Sequence, residues 1–132
     1  MSFILVAKQG SEVQVNGWNW RPTLELLVRE NLLDRERYDL LVAHGCGAGI
    51  VDGALARRIA DGIERWLQSA AMKPGQRMLA DLTVTSRKKV SVVFSPDSSP
   101  EAVDHNDLYS ATYEWLVTFR DFCRQSDGFD VF

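Results

Sequence analysis

Asn16-Gly17-Trp18-Asn19-Trp20-Arg21-Pro22 constrains this chain more than any other stretch, because it places two of the four tryptophans in a turn-like segment directly ahead of a helical pattern. An Asn-Gly pair supplies the positive φ angles of a tight turn. Proline fixes φ near the helical value at a first helical position, where its missing N–H costs nothing. The segment therefore reads as a rigid aromatic corner that clamps what precedes it to the helix that follows. What precedes it is a hairpin: Phe3 to Ala7 is apolar, Glu12-Val13-Gln14-Val15 alternates, and Gln9-Gly10-Ser11 turns between them. Alternate residues of an extended segment share a side, so Trp18 and Trp20 are expected to direct both rings into one pocket or one patch. Two roles follow: anchoring the first helix in the core, or presenting an aromatic hot spot to a partner.

Helical spacing organises most of what remains. From Pro22, Leu24, Leu27, Val28 and Leu32 carry a first helix that Asn31 closes. Asp34 caps a shorter second helix through Tyr38, Leu41 and Val42, which stops at the glycines of His44-Gly45-Cys46-Gly47-Ala48-Gly49. Asp52 starts a third helix with Leu55, Ile59, Ile63, Trp66, Leu67 and Ala70 on one face, ending by Lys73-Pro74-Gly75. A last helix, capped by Asp104 or Asn106, presents Leu108, Thr112, Trp115, Leu116, Phe119, Phe122 and Cys123 as a broad apolar stripe. Gly128 then supplies a left-handed residue, and Phe129 to Phe132 return as a strand beside the N-terminal hairpin. Leu82-Thr83-Val84 and Val90 to Phe94 read as a hairpin within 78–94, turning at Ser86 to Lys89. Met78 to Leu82 equally suits a helix extension, and β-branched content favours the hairpin. Ser95 to Glu101, with two prolines and three serines, is a loop. The expectation is an α+β fold in one globular domain over 1–132, mainly helical, with three to four helices and a small antiparallel sheet.

A chain of 132 residues that is 45% hydrophobic and 25% charged suits a packed core. The net charge of −3 disfavours nucleic acid, whose binding rests on clustered Lys and Arg, and Arg87-Lys88-Lys89 reads as a solvated hairpin tip. No run of about 18 apolar residues is present to cross a membrane, and without a charged n-region followed by a cleavable apolar stretch no secretory leader is expected. Reduced Cys46 and Cys123 and a cytoplasmic location are the corresponding expectations.

Several residues invite a chemical reading. Around His44, Gly45, Gly47, Gly49 and Asp52 a glycine-rich segment precedes a helix start whose amides suit an anion. The sixth place of a dinucleotide fingerprint counted from Gly45 is nevertheless Ile50, and no Lys-Ser or Lys-Thr follows. An interhelical connector explains the same glycines. His44 and Cys46, with Asp52 to orient the imidazole, form a thiolate–imidazole arrangement of low specificity. A metal site would have to gather His44, Cys46, His105 and Cys123 without structural-zinc spacing, so no metal and no cofactor are expected. Cys123 on the apolar stripe reads as a small core residue. Asp97, Glu101, Asp104 and Asp107 concentrate acidic charge in a proline-punctuated segment that only His105 relieves. Such a segment is either solvated, with its last acids complementing a helix N-terminus, or meets a basic partner surface.

Gly49-Ile50-Val51-Asp52-Gly53-Ala54-Leu55 is similar to the glycine-rich loop and helix start of macrodomains, although Ala43-His44 stands where that family uses asparagine. The similarity implies ADP-ribose or nucleotide binding at 44–53. A wider resemblance rests on Asn16 through Pro22 with Leu24-Glu25-Leu26-Leu27 and on the glycine-rich stretch before Ala54, Ala56 and Ala60. The ending Phe119-Arg120-Asp121-Phe122-Cys123-Arg124-Gln125-Ser126-Asp127-Gly128-Phe129 completes it. Together these resemble a family of small bacterial cytoplasmic proteins that are themselves similar to immunity proteins neutralising polymorphic or type VI secretion toxins. That resemblance implies a binding protein rather than an enzyme, with a cognate toxin as partner. Asp97, Glu101, Asp104, Asp107 and Trp18 are the candidate contact residues.

Overall fold

A computed structural model of the chain describes residues 2–42, 48–87 and 109–132. In chain order it contains β1 (Ser2–Ala7), β2 (Glu12–Asn16), α1 (Gly17–Arg29), α2 (Arg35–Val42), β3 (Ala48–Asp52), α3 (Gly53–Ser69), β4 (Arg77–Leu79), β5 (Val84–Thr85), β6 (Ser110–Thr112), α4 (Tyr113–Ser126) and β7 (Gly128–Val131). The fold is α+β, with two antiparallel sheets ordered β2-β1-β7-β3 and β5-β4-β6.

The N-terminal hairpin forms where the alternation requires it. Phe3 pairs with Val15 and Leu5 with Val13, so Phe3, Leu5 and Val15 reach the buried face together. Gly10, at φ 99°, makes the turn. β7 joins the other edge of β1, with Leu5 opposite Val131 and Ala7 opposite Phe129. Beyond it lies β3, a strand where the sequence suggested only the tail of a glycine loop; Val51 pairs with Phe129, and the register shifts between Ala48 and Val51. The left-handed residue that ends α4 is Asp127 (φ 52°) rather than Gly128. Gly128 opens β7 at φ 110°, and a Cβ there would come within 2.6 Å of the Val51 carbonyl oxygen, so only glycine lets β7 approach β3.

Four expected boundaries are corrected. α1 begins at Gly17 and not at Pro22, because the Asn16 side chain accepts a hydrogen bond from the Asn19 N–H at 2.9 Å and so caps a helix. Pro22 therefore lies inside α1, where the carbonyl left without its N–H partner is that of Trp18 in the first turn. Residues two apart on a helix leave it about 200° apart, so the two rings differ in exposure, 41% for Trp18 against 1% for Trp20, although both border one pocket, as expected from the sequence. α4 is capped by Thr112, whose Oγ1 accepts from the Trp115 N–H at 3.1 Å. The expected caps Asp104 and Asn106, and Leu108, lie outside the described residues. The chain ahead of Tyr113 is extended because β6 pairs with β4, Ala111 opposite Met78 and Thr112 opposite Arg77, which no local pattern announces. β4 and β5 form a hairpin that turns at residues 80–83, so Leu82 and Thr83 belong to a turn and not to the expected strand, while Lys88 and Lys89 of the expected Ser86 to Lys89 tip lie outside the described residues. The Leu79 N–H donates to the Thr83 carbonyl at 2.8 Å, and Leu82 takes φ 70°. Met78 and Leu79 are thus strand, not helix, and the expected strand Val90 to Phe94 lies outside the described residues. α3 ends at Ser69, ahead of Ala70, which is its C-cap and not part of the apolar face.

The core sits between the first sheet and the helices. Trp20, Leu24, Leu27, Ile59, Ile63, Leu116, Phe119 and Phe129 are all buried in one cluster. Phe119 is its hub, edge-on to Trp20 (5.4 Å between ring centroids, 88°) and to Phe129 (5.9 Å, 77°), and stacked on Trp115 (5.5 Å, 16°). At the rim of the α3–α4 seam, Arg120 pairs with Glu64 at 2.6 Å and Arg124 approaches the same carboxylate at 3.7 Å.

Candidate functional site

Beside the first turns of α1 lies an aromatic cleft of about 190 Å³ lined by Phe3, Gly17, Trp18, Trp20, Arg21, Val42 and Tyr109. Its position follows from side chains that capping and core packing fix. The Trp20 indole N–H donates to the Leu41 carbonyl at 2.9 Å, holding the end of α2 so that Val42 reaches the cleft. On the other side the Thr112 N–H donates to Asn19 Oδ1 at 3.0 Å. The Trp115 indole N–H donates to Thr23 Oγ1 at 2.9 Å, and the Thr23 hydroxyl in turn donates to the Asn19 carbonyl at 2.8 Å. This chain of bonds seats β6 on α1 and delivers Tyr109, the residue just before β6, to the cleft.

Three side chains form the open wall. The Trp18 ring lies 4.8 Å from the Tyr109 ring at 44°, and the Arg21 guanidinium carbon sits 5.5 Å from the centroid of the same tyrosine. Trp18 and Arg21 are neighbours because residues three apart share a helix face. Trp18 is 41% exposed whereas Trp20 is 1% exposed. Arg21 makes no ion pair among the described residues. Glu25, one turn along α1, is instead held by Arg35 through both carboxylate oxygens, at 3.2 and 3.4 Å, and Arg35 lies over the Tyr38 ring at 4.9 Å. Burial, and then the Glu25 charge, push the Tyr38 phenol above its ordinary range.

Of the sequence candidates, Trp18 stands at this cleft. Asp97, Glu101, Asp104, Asp107, His44, Gly45 and Gly47 lie outside the described residues. In the sequence, the segments that hold them adjoin two cleft residues, Val42 and Tyr109. Gly49 belongs to β3. Asp52 caps α3, its Oδ1 accepting from the Leu55 N–H at 2.7 Å. The same helix start faces a second carboxylate: the Asp127 side chain closes over Gly53 and pairs with Arg57 at 3.6 Å. The positive end of α3 is thus already met by two acids of the chain itself. Cys123 is buried in the core, and burial pushes its thiol far up, which makes it a poor nucleophile. Among the described residues no group of three or more His, Cys, Asp or Glu side chains is placed to hold a metal ion, and no helix is long and apolar enough to cross a membrane.

Sequence reasoning missed Arg21 and Tyr109. Arg21 carried a signal, its spacing of three from Trp18, which becomes legible once Asn16 is taken as a cap. Tyr109 carried none, because its place depends on β6 pairing with β4. Comparison with protein families, with curated proteins and with solved structures finds no match to this chain.

Proposed function

We propose that the protein acts by binding another protein, and that it is an immunity protein neutralising a cognate bacterial toxin in the cytoplasm by stoichiometric contact. The observation that carries this reading is the exposed Trp18, held against Tyr109 with Arg21 over the same ring, at the edge of an aromatic cleft. Trp, Tyr and Arg are the residue types that dominate binding energy at protein interfaces, and they do so from rigid, preorganised positions. Here two of the three sit on a capped helix. The acidic residues Asp97, Glu101, Asp104 and Asp107 precede Tyr109 closely in sequence and supply charge that would steer a basic partner surface.

Co-expression with the product of the gene immediately upstream tests this directly. Rescue of growth and co-purification of a one-to-one complex are expected; absence of both overturns the reading. ADP-ribose binding at 44–53 is the reading that the geometry supports less. Its phosphates would have to share the start of α3 with Asp52 and Asp127. A ligand at a hundred times its dissociation constant would stabilise the fold by about 2.7 kcal/mol. No such stabilisation by ADP-ribose is expected in a thermal melt.

A further inference from the structure

We infer that the cleft on α1 receives one aromatic side chain of the protein partner, with a carboxylate of the same partner segment beside it on Arg21; the inference rests on the partner-binding reading. Size, wall chemistry and charge each narrow the occupant.

The volume of about 190 Å³ is that of a site for a single ring. An apolar cavity of about 150 Å³ takes up benzene, so one phenyl or indole group fills this space and a longer stretch of chain does not. Phe3, Trp18, Trp20 and Tyr109 supply ring faces and edges on several sides, which favours an aromatic occupant in tilted or edge-on packing over a polar one.

Aromatic walls also attract cations, and here the charge decides. Arg21 already lies over the Tyr109 face and is paired with no carboxylate among the described residues, since both oxygens of Glu25 are engaged by Arg35. A lysine or methylammonium entering the cleft would meet the positive guanidinium at the rim. A carboxylate would find five N–H donors, not one of which donates a hydrogen bond to another described side chain. An aromatic residue with an acidic neighbour, or with a free C-terminal carboxylate, therefore matches the cleft, and an aromatic residue with a basic neighbour does not.

The probe is N-acetylphenylalanine, with N-acetylphenylalanine amide as its neutral counterpart and phenethylamine as its cationic one. Each is titrated into the ¹⁵N-labelled protein while the indole N–H signals of Trp18 and Trp20 are followed. A single side chain without its interface binds weakly, so a dissociation constant of about 1 mM or above is expected for the acid. Trp18 should shift, and the acid should bind about two- to fivefold tighter than the amide, the range of an exposed ion pair. The cation should bind weakest. Arg21→Gln should bring the acid-to-amide ratio to one, and Trp18→Ala should abolish saturable binding in a protein whose remaining spectrum is unchanged. Equal or tighter binding of amide or cation, no saturable shift at Trp18, or an unchanged ratio in Arg21→Gln overturns the inference. Micromolar binding of the free acid also overturns it, by assigning the cleft to a small-molecule ligand. No partner is needed for these titrations, so they can fail while co-purification succeeds, and the two readings fall separately.

Discussion

Trp18 and Trp20 are two positions apart on α1 and border the same cleft, yet one is exposed at its edge and the other is buried in the core beneath it. Trp20 is 1% exposed, donates its indole N–H to the Leu41 carbonyl and lies edge-on to both Trp115 (6.4 Å, 75°) and Phe119 (5.4 Å, 88°). Trp18 is 41% exposed and rests on Tyr109. The difference comes from helix phase alone. Once Asn16 caps the helix, one ring enters the core and the other stays at the surface while both border the same cleft, so one capping side chain sets both the architecture and the candidate interface. The two halves of this helix are therefore expected to respond to substitution in opposite ways.

Replacing Trp20 gives the largest loss of stability. Trp20→Ala removes a fully buried indole and leaves the Leu41 carbonyl without its donor, so a cost of about 3–5 kcal/mol is expected in urea or guanidinium unfolding. A cost below about 1 kcal/mol would mean that the core is not organised around this ring. Thr23→Val is the next step down. It keeps the volume and removes the acceptor of the buried Trp115 indole N–H, for an expected loss of about 1–3 kcal/mol. Trp115→Phe in the same background should recover part of that loss, since it removes the orphaned donor. Asn16→Ala deletes the cap and should cost about 1 kcal/mol, with Asn16→Asp close to neutral. If Asn16→Ala and Asn16→Asp unfold alike, the phase of α1 has another cause. Trp18→Ala should cost least, under about 1 kcal/mol, because the side chain is 41% exposed.

The sequence showed the buried sides of most elements better than their ends. Leu55, Ile59, Ile63 and Leu67 fall at helical spacing and are buried, and Asp52 caps their helix. Phe3, Leu5 and Val15 likewise fix the hairpin register, and the C-terminal strand lies beside it. These features depend on periodicity within one element, which a single sequence carries. The misses depend on distant partners. β3 exists because Val51 meets Phe129, 78 positions further along, and β6 exists because Ala111 meets Met78. Nothing local to residues 110–112 outweighs the apolar stripe that continues through them. The error at α1 was of another kind. Asn-Gly suits a turn and Asn alone suits a cap, and the hydrogen bond from Asn19 decides between them. That choice hid the site, since in an extended reading Trp18 and Arg21 lie on opposite sides.

The division of α1 into a structural face and a binding face is tested most directly by the affinity of Trp18→Ala for the upstream gene product, measured by titration calorimetry beside the unsubstituted protein. The expected result is a dissociation constant at least about 30-fold weaker, the effect of an interface hot spot of about 2 kcal/mol, in a variant that melts close to the parent. An affinity within about twofold of the parent would contradict it and return Trp18 to the surface as a residue without a binding role.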